Sequence, residues 1–417
     1  MLVFDCMEFY ARLGFRLSEF CSEAHTVSNP VAPTIFFAFR PGMKPKKIGI
    51  IGAGPAGGLL AWRLAKSGFE VLLFDHRAPW AKPCAGGMAS YIWDEFPELE
   101  PLKKQGRSNR IAAIVSIKGE RLEVELRKPL LVLSRKIFGK FLIQNAVAAG
   151  AKFLAQKITG FEKQTNGFEL TDSRSEKFQV DFLVGADGVG SLVRRKLFGN
   201  WAKPDFCFTR SIWLPYTVDM PLTLQFFPGL YGFSWIFPGQ DETSIGIGSR
   251  GLRLKTGAML ECWQESLGVF LESAQPKINL QKDSVSFLIP ALRFSSLRRQ
   301  KVAGDNWALL GDACGSAQSV SGGGIYFALK NAEQLADALT RGKLEDYQQK
   351  WWGLSKKELA GPALWGSIFY NTRTQNLLAH YLMHSLYARK LVVELLSGSK
   401  PPRGQILRDL LKMVAGK

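Results

Sequence analysis

One stretch, KKIGIIGAGPAG at 46–57, limits the possible folds more than any other. Lys47 to Ile51 is a short apolar, β-branched run that ends on glycine, the pattern of a strand buried on both faces of a parallel sheet. Pro55 then opens PAGGLLAWRLAKSG, in which Leu59, Leu60 and Leu64 recur at helical spacing and Gly68 supplies a stop. FEVLLFD follows as a second strand, so the order is strand, helix, strand, and the N-terminal part reads as doubly wound α/β. Gly52, Gly54 and Gly57 have GxGxxG spacing. The first glycine permits a tight turn, the second a close approach of pyrophosphate to backbone, and the third close packing of helix on strand; Pro55 and Ala56 begin the helix whose N–H groups face the anion. Asp75 ends the next strand, where an acid takes ribose hydroxyls. With strand, helix and acid all in place, the segment reads as a dinucleotide site.

The rest of the chain divides by texture. Leu130–Ala149 begins extended and turns helical, and DFLVGADG is another buried strand. Between Thr209 and Arg250, TLQFF, YGFSWIFP and TSIGIGSR are strand-like pieces separated by PGL and GQDE turns, which predicts an antiparallel sheet. Residues 251–274 read as helix, NWALLGDACG as strand then turn, GGGIYFALKNAEQLADAL as a helix entered through glycines, and the last 75 residues as helical. The domain reading is an extra leader over 1–42, outside the fold. A cofactor-binding α/β domain covers 43–130 and 131–200 with inserted segments and returns at 301–342. An inserted antiparallel-sheet substrate domain spans 201–300, and a helical region 343–417.

Two more elements narrow the dinucleotide. GADGVGSLVRR puts Asp187 and Gly188 at a strand end, before Ser191, Arg194 and Arg195; GDACG puts Gly311 and Asp312 at another, and Gly322 to Gly324 then lead into a helix at Ile325. Each Asp–Gly alone reads as an ordinary turn. In this order, the three elements resemble the FAD-dependent group that contains aromatic hydroxylases and geranylgeranyl reductases, over 46–339. The resemblance implies FAD, with its ADP half at Gly52–Asp75, its ribityl near Asp312, and Arg135 of LSRKIFGKFL near ribose and phosphate. KPCAGG is similar to the cysteine-glycine segment of the reductases, which implies Cys84, Ala85 and Gly87 beside the flavin. FSWIFPG resembles their YxWxFP strand with Phe233 in place of tyrosine; Phe233, Trp235 and Phe237 share one face of a strand and would line an apolar tunnel. Ser319 stands where the group has proline, and Gly323 where glutamate is frequent, which leaves the pocket above the ring open in shape.

The reaction this resemblance implies is reduction of isolated carbon–carbon double bonds in a polyprenyl chain. An unactivated alkene accepts hydride only with a proton supplied, so an acid is required. Cys84 is the candidate, since a thiol is mostly protonated at neutral pH, and Trp235 is the second residue assigned to the reaction. Two other readings stay open: a flavin monooxygenase on an aromatic or lipid substrate, and a flavoprotein passing electrons to a membrane quinone. The WxWxIP signature of halogenases is not met by FSWIFP. NADPH, ferredoxin and quinol all remain as electron donor.

Charge bears on partners. A formal net charge of +18 accompanies no nucleic-acid-binding motif, and the region from Lys343 holds 12 basic against 5 acidic residues with interspersed Trp and Tyr. That combination points to an anionic membrane surface rather than nucleic acid, on a cytoplasmic protein that rests peripherally on the bilayer. Six scattered cysteines without a CxxC pair suggest neither disulfides nor a metal site. Nothing in the sequence sets the oligomeric state.

Overall fold

The GAGPAG segment folds as its spacing predicts. In the computed structural model, which describes residues 45–250, 256–273 and 279–398, strand β1 (Lys47–Ile51) runs through the glycine loop into helix α1 (Pro55–Lys66). Strand β2 (Glu70–Phe74) then pairs in parallel with β1. Leu59, Leu60 and Leu64 are fully buried, and Gly68 at φ +83° turns the chain out of the helix. Helix α1 crosses α2 (Arg135–Ala148) at Gly58, where a Cβ would stand 2.9 Å from Cβ of Leu142. Only a glycine allows so close an approach.

Three further strands extend the parallel sheet: β6 (Lys152–Leu154) beside β2, β10 (Phe182–Gly185) beside β1, and β17 (Trp307–Leu309) beside β10. The short β16 (Ala303–Gly304) closes one edge antiparallel, giving the order β16-β17-β10-β1-β2-β6. A small antiparallel sheet of β7 (Ile158–Gln164), β8 (Gly167–Asp172) and β9 (Lys177–Val180) is inserted before β10.

A second large sheet has the order β15-β11-β14-β13-β12-β4-β5-β3. Its members are β3 (Gly87–Met88), β4 (Arg107–Val115), β5 (Arg121–Val132), β11 (Phe206–Leu214), β12 (Leu222–Gln225), β13 (Gly232–Pro238), β14 (Thr243–Arg250) and β15 (Val285–Pro290). It departs from the expected antiparallel sheet of 201–300 in two ways. Three of its strands come from 87–132, and β12 runs parallel to β4, because those two are joined by a long excursion through the first sheet rather than by a hairpin.

The two faces of this sheet are covered differently. Ile212, Ile236, Ile245 and Ile247 pack with Trp263 of α4 (Thr256–Ser273). Trp235, Phe237 and Val132 pack on the other face, against Leu382 and Met383 of α8 (Thr372–His384) and Val393 and Leu396 of α9 (Leu386–Leu396). The chain reaches these helices through α3 (Leu192–Phe198), α5 (Ile325–Arg341), α6 (Glu345–Glu358) and α7 (Ala360–Phe369). No helix among the described residues is long and apolar enough to cross a membrane. The leader read over 1–42 lies outside the described residues, as do 251–255, 274–278 and the C-terminal end from 399.

Candidate functional site

Each glycine of the first motif has its own task. Gly52 takes φ +101°, and a Cβ there would meet the carbonyl oxygen of Ala186 at 2.4 Å. At Gly57 the added carbon would lie 1.9 Å from the Gly52 carbonyl oxygen, so helix and loop are packed backbone to backbone. At Gly54 it would meet nothing within 4 Å. The middle glycine therefore faces open space, where a bulky anion can approach the chain. Helix α1 begins there with no side-chain cap and no acid in its first turn. Asp75 holds the loop from β2: its carboxylate accepts from the N–H of Ala53 at 2.9 Å and from those of Arg77 and Ala78 at 2.9 and 3.1 Å.

The GDACG turn is brought against the same loop. Gly311 is at φ +57°, and a Cβ on it would lie 3.4 Å from Cβ of Ala56 and 3.5 Å from Cβ of Ala328. The N-terminal turns of α1 and α5 thus sit on either side of this turn. Helix α5 also starts without a side-chain cap or an acid in its first turn, at Gly324 and Ile325. Two uncapped helix starts side by side leave unsatisfied N–H groups and two positive dipole ends at one place. Asp312 sits at that junction, with Oδ1 3.4 Å from where a Cβ of Gly324 would be, and its Oδ2 accepts from Nζ of Lys82 at 2.6 Å. Beneath the turn, Tyr347 donates to the Leu309 carbonyl at 2.7 Å and Trp351 to Ser316 at 2.9 Å, so α6 clamps it. Cys314 belongs to this support: burial pushes its thiol up to about 12.

Asp187 is used differently from Asp312. Its backbone abuts the glycine loop, 2.7 Å from where a Gly52 Cβ would lie, but its Oδ2 accepts from the Leu192 N–H at 2.6 Å. Ser191 accepts from the Arg194 N–H at 3.0 Å, so the start of α3 is satisfied by its own chain. Gly188, at φ +78°, makes the turn between them. Burial pushes the Asp187 carboxyl up, against the bonds from Ser191 and Leu192, and its Oδ1 is buried without a partner. Arg194 is turned away: it stacks 3.4 Å from the centroid of the Trp201 ring and donates to the Gly199 carbonyl. Arg195 donates to the Gly190 carbonyl.

A pocket lies beside the second sheet, between the KPCAGG segment and the start of α2. Cys84, Ala85, Arg135, Trp213, Glu242 and Ser244 line it, together with the end of β5. Arg135, at the first turn of α2, has its Nε buried and without a partner. Trp235 is connected to this pocket by a relay: its Nε1–H donates to Oγ of Ser244 at 3.2 Å, and the Ser244 hydroxyl donates to the Cys84 carbonyl at 3.0 Å. The Cys84 Sγ in turn accepts from the Gly86 N–H at 3.4 Å. Room for the rings is made by glycines: a Cβ on Gly246 would fall 2.2 Å from the Trp235 indole, and one on Gly87 would fall 2.8 Å from Phe237. Phe233, Trp235 and Phe237 do share a face, and ring contacts continue from Trp235 through Phe233, Phe226 and Phe369 to Trp365, which is 39% exposed on α7.

Sequence reasoning missed Lys82, Ser244, Glu242 and Trp213. Lys82 stands inside KPCAGG, so the motif was in view while its partner, 230 positions away, was not. Ser244 and Glu242 read as hairpin residues, and no spacing marks them.

FAD fits these residues. The open position at Gly54, two uncapped helix starts, the buried unpartnered Nε of Arg135 and the unpartnered Oδ1 of Asp187 offer donors to phosphate and an acceptor to hydroxyls. No three His, Cys, Asp or Glu side chains among the described residues are grouped to hold a metal ion.

Comparison with known proteins agrees. The FAD binding domain family matches residues 46–204. An uncharacterized protein of Methanosarcina barkeri is 31% identical over 308 residues, 72% of this chain and 75% of that protein. A digeranylgeranylglycerophospholipid reductase of Methanosphaera stadtmanae is 28% identical over 330 residues, covering 72% and 77%. The crystal structure of a geranylgeranyl bacteriochlorophyll reductase-like protein from Thermoplasma acidophilum superposes with a TM-score of 0.69 at 19% identity, covering 89% of this chain and 100% of that one.

Proposed function

The chain belongs to the geranylgeranyl reductase-like FAD-dependent oxidoreductases, and we propose that it reduces carbon–carbon double bonds in a geranylgeranyl or other polyprenyl chain. The observation that carries the substrate class is the run of rings from Trp235, one relay away from Cys84, out to the half-exposed Trp365. A continuous run of apolar rings of this length, buried or partly buried until it reaches the surface at Trp365, suits a flexible isoprenoid better than a single phenol ring. The reductase named among the relatives, that of Methanosphaera stadtmanae, carries an isoprenoid lipid in its name, which supports the same class.

Reduced FAD supplies a hydride when bound. Cys84 delivers the proton to the neighbouring alkene carbon and is reprotonated from solvent, so the bond gains two hydrogens overall. Ser244 fixes the carbonyl of Cys84 and Trp235 at once, which keeps the proton donor and the apolar surface in register. The uncapped starts of α1 and α5 and Arg135 bind the cofactor's anionic part. Lipid reaches the site from the bilayer: Leu364, Trp365, Leu386, Tyr387 and Leu395 are exposed on the C-terminal helices, within a basic segment, which supports peripheral seating on the cytoplasmic face. The donor that reduces the flavin is NADPH, ferredoxin or quinol.

Product analysis tests the proposal. Incubation of reduced protein with a digeranylgeranyl glycerophospholipid is expected to add two mass units per double bond, and Cys84→Ser to slow this at least tenfold while FAD stays bound. A hydroxylated product or stoichiometric hydrogen peroxide would assign the site to oxygen chemistry instead. Undiminished turnover in Cys84→Ser would remove the thiol from the proton step.

A further inference from the structure

Besides its cysteine and glycines, the segment KPCAGG carries a lysine that makes an ion pair to the junction of the two helix starts. Nζ of Lys82 is 2.6 Å from Oδ2 of Asp312, and the two side chains are only 20% and 14% exposed. The ammonium also lies 4.8 Å from the centroid of the Phe287 ring, and Phe287 is 6.0 Å from Trp80, whose face carries Arg77 at 4.3 Å. Lys82 is therefore held between a carboxylate and an aromatic face, not left to sweep solvent.

We propose that Lys82 is the charge-balancing residue of the FAD site, cancelling the charge of Asp312 so that a polyanionic cofactor can bind and be reduced there. Asp312 is a carboxylate at the meeting point of two helix starts that otherwise favour anions. Unpaired, it opposes both dipoles, repels the pyrophosphate, and disfavours the added electron density of the reduced flavin. Paired at 2.6 Å in a largely buried site, where water screens little, it keeps acceptor capacity while the net charge of the pair falls to zero. Lys82 is thus a positioning and electrostatic residue rather than a catalytic one. The inference rests on the FAD reading and is independent of which bond the enzyme reduces.

The test compares wild type, Lys82→Met, Lys82→Arg and the double variant Lys82→Met/Asp312→Asn. FAD affinity of the stripped proteins is read by titration, and the midpoint potential of each reloaded protein by equilibration with a redox dye. Lys82→Met is expected to bind FAD about tenfold more weakly and to hold it at a potential lower by about 30 mV, which is a tenfold change for a two-electron couple. Lys82→Arg should stay within about threefold of wild type on both readouts. The double variant, which leaves no lone buried charge and so also guards against misfolding of the single one, should regain the wild-type potential. An unchanged potential and affinity in Lys82→Met, or equal losses in Lys82→Met and Lys82→Arg, overturns the proposal. A wild-type protein that takes up no FAD overturns instead the cofactor reading beneath it.

Discussion

Three helices start at glycine-rich turns after strands of the parallel sheet, and they do not start alike. Helices α1 and α5 begin uncapped, side by side, on either side of the GDACG turn. Helix α3 begins at a turn of similar composition, but Asp187 and Ser191 accept from its Leu192 and Arg194 N–H groups. A helix start without a side-chain cap leaves its donors to water or a ligand, whereas one that satisfies them locally is finished. The GADG turn is thus chiefly a capped corner that abuts the glycine loop, with one Asp187 oxygen left over, and the GAGPAG and GDACG turns are the ones that leave helix-start donors open to the cofactor proposed to bind there.

That contrast is breakable by substitution. The largest effect is expected for Gly57→Ala, whose new carbon would overlap the Gly52 carbonyl at 1.9 Å. It should both release FAD and cost about 1–3 kcal/mol or more of stability, seen as loss of flavin absorbance and a lower unfolding midpoint. Gly54→Ala should separate the two: with nothing within 4 Å of the added carbon, the stripped protein keeps its stability while FAD affinity falls at least tenfold. At the closed start the pattern should invert, and Ser191→Ala should cost about 1 kcal/mol in denaturant unfolding with FAD affinity nearly unchanged. A large affinity loss in Ser191→Ala would place the third turn among the binding elements after all.

The smallest effect carries a sign. Burial raises the folded Asp187 carboxyl above its unfolded value of about 3.9, so the folded state keeps the proton to higher pH. The stability linked to that proton is complete below the unfolded value and is lost as pH rises through the folded one. Asp187→Asn cannot titrate and keeps an oxygen for the Leu192 N–H. Its stability relative to wild type in the stripped protein should therefore improve from acid toward neutral pH; a difference flat in pH would contradict the buried, unpartnered oxygen.

How much of this was legible in the sequence follows from how far apart the partners lie. The glycine roles at Gly52, Gly54 and Gly57 are local, set within one strand, turn and helix, and spacing alone gives them. The row Phe233, Trp235, Phe237 is local too, because strand period fixes a shared face. The eight-stranded sheet was only partly visible. RLEVEL in β5 alternates exposed and buried without a break, a period-two signal for a half-covered sheet that was there to be read. Its parallel pairing of β4 with β12 was not, since no local pattern reports a partner strand roughly a hundred positions on. The same applies to the site. Lys82–Asp312 and Ser244–Cys84 join residues 230 and 160 positions apart, and only the folded chain brings them together.

The central claim is that a flavin held by these two open helix starts delivers its electrons to an isoprenoid double bond. Its most direct measurement is anaerobic: reduce the FAD-loaded protein, add either a geranylgeranyl lipid or its fully saturated counterpart, and follow reoxidation of the flavin. Reoxidation by the unsaturated lipid alone, with an equivalent of reduced double bond formed, is the predicted result. A flavin that stays reduced with both lipids, yet reoxidises with a quinone and leaves no altered lipid, would contradict it.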